Sequence, residues 1–296
     1  MAMATPLAFI GLGIMGEPMA GHLLEAGYPL HAFTRTRARA EGLLARGAKW
    51  AQSPAAAAKA AEVVFLCLPD TPDVQAVING PDGLRATARA GLVIVDHSTI
   101  SPSATKEFAG QFAGQGAHWL DAPVSGGDAG ARNATLSIMV GGEATALDKV
   151  RPMLAKMGKT ITHCGPSGSG QLTKLVNQIL VAGTNLAVCE ALTFAKANGL
   201  DPATTLSAVG GGAGSSWQLL NLWPKMAAAD WAPGFKISLQ QKDLRLAIAA
   251  AKERGLSLGA LGAVHWIFDK ALADGAGEQG TQALFRYVEE GTRKAK

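Results

Sequence analysis

Gly11-Leu12-Gly13-Ile14-Met15-Gly16 is the first stretch of the chain whose residue types and spacing can do chemistry. It follows the apolar run Leu-Ala-Phe-Ile at 7–10 and opens an Ala-rich stretch of helical character. In that setting the first glycine allows a tight turn, the second lets a pyrophosphate approach the backbone, and the third lets helix pack on strand. The helix start presents amide hydrogens and the positive end of its dipole to an anion. Gly11, Leu12, Gly13, Ile14, Met15 and Gly16 are therefore the expected cradle of a dinucleotide. The next strand ends His31-Ala-Phe33-Thr34-Arg35-Thr36, where a site for NAD usually carries Asp or Glu to hold the ribose 2′-hydroxyl. No carboxylate stands at that strand end, and Arg35 and Arg37 follow. A guanidinium grips a 2′-phosphate that a carboxylate would repel, and Thr34 and Thr36 add hydroxyls. The expected cofactor is NADP, with NAD as the alternative; the competing reading is solvated loop arginines.

Two further strand ends face the same site. Leu68-Pro69-Asp70 closes the apolar run 63–68, and Asp96-His97-Ser98-Thr99 closes 92–95. Leu68, Pro69 and Thr99 are expected against the ribose and nicotinamide, although Thr99 or Ser101 could equally cap the helix starting near Pro102. In Ser125-Gly126-Gly127 a hydroxyl and two flexible amides can hold a substrate carboxylate, or simply make a glycine turn. Further on, Gln171, Lys174, Asn177, Gln178 and Asn185 recur three or four apart in a mostly apolar stretch, which places them on one helix face. A lysine there polarises a carbonyl and exchanges a proton with it, with Asn177 one turn away to orient it, if it is buried and not a surface lysine. Trp217 either walls the pocket or joins the core.

Residues 1–164 must position most of these groups, and their pattern is simple. Short apolar runs at 7–10, 30–33, 63–68, 92–95, 118–120 and 135–140 alternate with helical stretches at 18–26, 36–46, 54–61 and 146–157. Strand then helix, repeated, predicts a doubly wound, mostly parallel α/β sheet of the Rossmann kind, with ligands at the strands' carboxyl ends. From 165 strand signals stop. A helix over 168–197, apolar on nearly every side and so expected to be buried on most faces, is followed by helices near 202–209, 216–229, 238–254, 257–274 and 279–290. The expected organisation is an NADP-binding Rossmann domain, 1–164, and an all-α substrate and oligomerisation domain, 165–296.

Bulk composition sets the outer limits. Hydrophobic residues make up 48% of the 296 and charged residues 17%, which excludes a disordered chain. The net charge of +4 is spread out, so it suits small anions and gives no nucleic-acid footprint. Cys67, Cys164 and Cys189 stand apart from one another and from any histidine cluster, and read as small buried hydrophobes with no metal site. Without a signal-peptide pattern or a run of about 18 apolar residues, the expectation is a cytoplasmic protein without a membrane span.

The segments FIGLGIMGEPMA, FTRT, CLPD, DHSTISP, DAPVSGG, GSGQLTKLVNQ and QQKDLRLA, in this order over residues 8 to about 247, resemble the β-hydroxyacid dehydrogenase family. The resemblance implies that Lys174 is the catalytic acid/base, that Ser125 to Gly127 and Asn177 hold the substrate, and that Lys242 reaches the cofactor. TLSIMVGG and KLVNQILVA are most similar to the tartronate semialdehyde (2-hydroxy-3-oxopropionate) reductase branch. NADP-preferring members often read Asn-Arg-Thr where this chain has Thr34-Arg35-Thr36. The lysine also argues for carbonyl chemistry over that of the related imine reductases. The implied activity is reversible NADPH-dependent reduction of a small carboxylate-bearing aldehyde by a homodimer or homotetramer. The alternatives are a 3-hydroxyisobutyrate dehydrogenase, a succinic semialdehyde or glyoxylate reductase, a 6-phosphogluconate dehydrogenase relative, or a non-catalytic NADP-binding sensor.

Overall fold

The structure, a computed structural model, describes residues 5–293. The chain divides into two compact units, Met1–Lys174 and Leu175–Lys296, so the division falls inside one long helix.

The first unit alternates strand and helix. It runs β1 (Leu7–Ile10), α1 (Gly16–Glu25), β2 (Leu30–Phe33), α2 (Glu41–Ala45), β3 (Lys49–Trp50), α3 (Pro54–Lys59), β4 (Val63–Leu66), α4 (Thr71–Asn79), β5 (Val93–Asp96), α5 (Pro102–Ala113) and β6 (His118–Asp121). These six strands pair in parallel in the order β3-β2-β1-β4-β5-β6, the doubly wound arrangement that the sequence predicts. Side chains alternate between two apolar cores. Leu7 and Phe9 enter one with Val63, Phe65, Val95 and Leu120; Ala8 and Ile10 enter the other with Val64, Leu66, Ile94 and Phe108. Burial on both faces is why these strands read as continuous apolar runs.

An antiparallel extension follows. It comprises β7 (Val124–Ser125), α6 (Gly127–Arg132), β8 (Leu136–Gly141), α7 (Ala144–Leu154) and β9 (Gly158–Gly165). Strand β8 runs antiparallel to β6 and β7 and parallel to β9. The sequence gives no sign of β9, because Gly-Lys-Thr-Ile-Thr-His-Cys-Gly is polar and largely exposed. Pairing with β8, not burial, makes it a strand.

Helix α8 (Ser169–Ala197) begins in the first unit and ends in the second. The second unit adds α9 (Pro202–Val209), α10 (Trp217–Ala227), α11 (Ile237–Lys252), α12 (Gly259–Ala273) and α13 (Leu284–Arg293). Sequence-local caps start two of them: Asp201 Oδ2 accepts from Thr204 N at 2.7 Å, and Ser216 Oγ from Leu219 N at 3.0 Å. The core gathers Ala182, Cys189 and Leu192 of α8 with Trp223, Met226, Leu244, Phe268 and Phe285.

Helix α8 departs from expectation. It buries a stripe, but Leu172, Val176, Leu180 and Phe194 are exposed, Leu180 by 65%. The helices packed on α8 cover one side of it only. By length and composition α8 would also suit a membrane span. Its polar residues Gln171, Gln178 and Asn185 are instead buried and hydrogen-bonded within the protein. The cysteines also differ from expectation. Cys189 is buried, with its thiol pushed up by desolvation, whereas Cys67 and Cys164 are half-buried at strand ends.

Candidate active site

The glycine turn after β1 shows which of its positions serve the fold and which serve a ligand. Gly11 has φ +99°, and a Cβ there would lie 2.3 Å from Cys67 O. A Cβ on Gly16 would lie 1.9 Å from Gly11 O. Both glycines are required by the backbone itself. Gly13 faces open space, with nothing within 4 Å of a Cβ. Helix α1 has no side-chain cap at its start, where Met15 stands. Room above Gly13 and an uncapped helix N-terminus fit the pyrophosphate of a dinucleotide. Leu12 is buried beneath the turn, Ile14 is exposed and Met15 is half-buried.

Two paired substitutions separate these roles. Gly16→Ala is expected to lower stability by about 3 kcal/mol, because backbone must move. Gly13→Ala should melt like the parent yet weaken nicotinamide dinucleotide binding by at least about tenfold. Thermal melts and calorimetric titrations of both variants check this; equal binding by Gly13→Ala would remove the turn from the site.

At the end of β2, Thr34 is buried, while Arg35 is 80% exposed and Thr36 is exposed. Thr36 precedes a short 3₁₀ turn, Arg37–Ala40, without capping it by its side chain. Arg37 lies over the Trp50 ring, 5.5 Å from its centroid. The strand end lacks a carboxylate in sequence but not in space. Asp73, in the first turn of α4, places Oδ1 3.2 Å from Arg35 Nη2.

The ends of β4 and β5 are tied together. Leu68 N donates to Ser98 Oγ at 2.8 Å, and Ser98 N donates to Asp96 Oδ1 at 2.9 Å. Pro69 is exposed and Thr99 half-buried. Ser101, not Thr99, caps α5, through Ala104 N at 3.3 Å. Thr99 is therefore not the capping residue.

His97 is buried between these strand ends. Its ring stacks on Phe65 at 5.7 Å, and Nδ1 lies 2.7 Å from Ala122 O. A carbonyl only accepts, so Nδ1 carries the proton. Desolvation pushes its pKa down to about 4. Between pH 6.5 and 4 the unfolded chain takes up a proton that the folded chain refuses, so stability falls over that window and levels below it. The expected loss is roughly 3 kcal/mol. His97→Phe should flatten this part of the pH profile of the melting temperature; an unchanged slope would show that His97 does not carry it. Burial pushes Asp121 the other way, up, and its contribution has the opposite sign.

Asp121, at the end of β6, fixes the start of α8. Its carboxylate accepts from Gly168 N at 2.8 Å and from Gln171 N at 2.9 Å. A helix N-terminus is thus capped by a carboxylate from a strand 47 residues earlier. Gln171 adds two bonds, accepting from Ile100 N at 3.0 Å and donating to Ser98 O at 2.8 Å. Lys174 follows one turn later and is only 7% exposed, so it is not a surface lysine. Asp121 and Gln171 thereby set the height and rotation of the helix turn that carries Lys174.

Ser125 is half-buried at the end of β7, and Gly126 and Gly127 are exposed with φ +135° and +62°. A Cβ on Gly127 would meet nothing within 4 Å, so the turn has open space beside it.

In the second unit a polar chain joins two of the expected site residues. Asn177 Nδ2 donates to Gln178 Oε1 at 2.8 Å, Gln178 Nε2 donates to Asp243 Oδ2 at 2.6 Å, and Lys242 Nζ lies 2.7 Å from Asp243 Oδ1. Gln178 and Asp243 are buried, while Asn177 and Lys242 are half-buried. The farther member of the stripe, Asn185, donates to Thr281 O and serves packing. Trp217 is 60% exposed at the start of α10 and does not join the core; Trp223 fills that place. Spacing put Gln171 and Gln178 on the polar face of the helix but gave no sign of their partners, and sequence reasoning missed Asp121 and Asp243, whose only signal was membership of the same segments as Ser125 and Lys242. Asp73 carried no signal.

A doubly wound sheet with a ligand-shaped glycine cradle, and a buried lysine on the helix leaving it, define a nicotinamide-dinucleotide-dependent oxidoreductase. Residues 6–165 match the family described as NAD binding domain of 6-phosphogluconate dehydrogenase, and residues 168–288 match NAD-binding of NADP-dependent 3-hydroxyisobutyrate dehydrogenase. The chain is 43% identical to 2-hydroxy-3-oxopropionate reductase of Escherichia coli K12, over 96% of this chain and 97% of that protein. Among solved structures, Mycobacterium tuberculosis 3-hydroxyisobutyrate dehydrogenase with L-serine superposes with a TM-score of 0.88 at 33% identity, covering 97% of this chain and 99% of that one. Psf3 in complex with NADP+ and 2-OPP gives 0.88 at 29%, covering 95% and 99%. The chain belongs to the β-hydroxyacid dehydrogenase family, and its chemistry is NAD(P)-dependent oxidation and reduction of the hydroxyacid dehydrogenase type.

Proposed function

We propose that this enzyme uses NADPH to reduce a small carboxylate-bearing aldehyde, tartronate semialdehyde or a near analogue, to the β-hydroxyacid, and that it runs the reverse oxidation. The observation that carries the reading is the buried Lys174, set one turn beyond the helix start that Asp121 and Gln171 anchor. The 43% identity to 2-hydroxy-3-oxopropionate reductase supports the substrate class. In this reading residues 1–164 bind the cofactor and residues 165–296 complete the substrate site and the oligomer.

The nicotinamide, when bound, supplies or accepts the hydride. Gly11 to Gly16 hold the pyrophosphate, Thr34, Arg35 and Thr36 the 2′-phosphate, and Leu68, Pro69, Thr99 and Lys242 the rest of the cofactor. Ser125, Gly126, Gly127 and Asn177 fix the substrate carboxylate, with Trp217 as a wall, so the carbonyl is held in one orientation. Lys174 Nζ hydrogen-bonds the carbonyl oxygen and gives it a proton as negative charge develops there; in oxidation the same amine takes the hydroxyl proton. The exposed stripe Leu172, Val176 and Leu180 supports a homodimer or homotetramer formed through the helical half. The placement proposed is cytoplasmic.

The test is a screen for NADPH consumption with tartronate semialdehyde, succinic semialdehyde, glyoxylate and methylmalonate semialdehyde. The highest kcat/KM is expected for tartronate semialdehyde. Preference for methylmalonate semialdehyde would place the enzyme with the 3-hydroxyisobutyrate dehydrogenases, and no turnover with any of them would overturn the substrate class. The choice of cofactor has its own test. Arg35→Asp should abolish the preference for NADPH over NADH by removing a cation and adding an anion. Equal use of both cofactors by the unaltered enzyme would defeat the arginine argument.

A further inference from the structure

We propose that Asp73 is a specificity-determining residue that restrains the enzyme's preference for NADP by neutralising Arg35. The inference rests on the reading of Arg35 as the 2′-phosphate ligand. The two arginines nearest the end of β2 are not equivalent. Arg37 is parked on Trp50, with its Cζ 5.5 Å from the ring centroid, and Trp50 in turn packs on Phe33. Arg35 instead turns to α4 and pairs with Asp73 at 3.2 Å. Asp73 is the better fixed partner: it sits in the first turn of α4 and is 25% exposed against 80% for Arg35. That turn is anchored by Asp70, whose carboxylate accepts from Thr71 N at 2.6 Å.

A dianionic phosphate reaching Arg35 meets a guanidinium already paired to a carboxylate. It must displace Asp73 or share the arginine with it, and in both cases a fixed negative charge opposes it. A ribose 2′-hydroxyl carries no charge and meets no such penalty. Thus the carboxylate absent from the end of β2 is supplied from another element, and selection between the two cofactors is a balance between Arg35 and Asp73. Exposed pairs of this kind are weak, so the effect is a tuning of selectivity and not a switch.

The experiment measures binding of adenosine 2′,5′-bisphosphate and of 5′-AMP by calorimetry, so that catalysis plays no part. It uses the full-length enzyme, Asp73→Asn, Arg35→Ala and the double variant, each first confirmed to melt like the parent. In Asp73→Asn, affinity for the bisphosphate should rise by about three- to tenfold while that for 5′-AMP stays within about twofold. In the Arg35→Ala background the same Asp73 change should give a markedly smaller gain. Unchanged or weakened bisphosphate binding in Asp73→Asn would overturn the proposal, a weakening meaning that Asp73 orients Arg35 for the phosphate. Failure of the underlying NADP reading appears elsewhere: Arg35→Ala would then leave bisphosphate binding unaltered.

Discussion

Lys174→Ala is expected to lower kcat/KM by about a thousandfold or more while leaving the Kd for NADPH within about twofold. General acid–base groups contribute roughly 10² to 10⁴ in rate, and each factor of ten corresponds to about 1.4 kcal/mol of transition-state stabilisation. Lys174 stands at the upper end because its position is fixed. Its own turn of α8 follows the turn that Asp121 caps and Gln171 ties to Ile100 and Ser98. Little orientational freedom is left to lose in reaching the carbonyl oxygen. The residue is 7% exposed, so truncation to Ala also removes packed methylenes. Lys174→Met restores that volume without the amine, and its rate should stay as low as that of the Ala variant. Steady-state kinetics with the best aldehyde of the screen, together with cofactor titrations, check both. Turnover near the parent level in either variant would take the proton-transfer role away from this residue.

Gly170→Ala should be the most damaging single-methyl change in this part of the chain. A Cβ on Gly170 would lie 2.4 Å from Met139 O and 2.5 Å from Asp121 O, and 2.9 Å from the Asp121 carboxylate. The first two are backbone atoms of β8 and β6, which cannot turn aside as a side-chain end can. The start of α8 must therefore move off the sheet, weakening the amide bonds to Asp121. A loss of about 3 kcal/mol or more is expected, a fall of roughly 5 °C or more in Tm for a chain of this size. Activity should drop as well, since Lys174 rides on the same turn. Gly110→Ala in α5 is the control. It has nothing within 4 Å of its Cβ, so it should gain about 0.5–1 kcal/mol from helix propensity alone. Scanning calorimetry of the two variants decides; a Gly170→Ala protein that melts and turns over like the parent would show that the contact between α8 and the sheet is not tight.

The two results bear on how the chain encodes its site. The cofactor fold was legible from local pattern because buried parallel strands need apolar runs and a dinucleotide turn needs glycines at fixed spacing. The parallel strands β1, β2, β4, β5 and β6 and helices α8 to α13 stand close to where periodicity places them. Strand β9 was not legible, since an exposed strand held by a single neighbour needs no apolar signature. Burial of α8 was overestimated from its composition, because an apolar helix declares that its faces seek cover and not that this chain alone supplies it.

For the candidate site the division is sharper. The sequence by itself determined the residue types and their spacing: three glycines after β1, a lysine and an asparagine one turn apart on α8, and arginines after β2 with no acid beside them. Only the tertiary structure decided that Gly13 is open while Gly11 and Gly16 are not, and that Lys174 is buried on a helix capped by Asp121. It alone showed that Asn177 and Lys242 are joined through Gln178 and Asp243, and that Arg35 has an acid after all in Asp73. The reason is physical. Periodicity records which face of an element is apolar, a property of neighbours in sequence, whereas the partner of a charged or polar group is whatever the fold brings within about 3 Å. Asp73 and Arg35 lie on different elements, so no local pattern connects them.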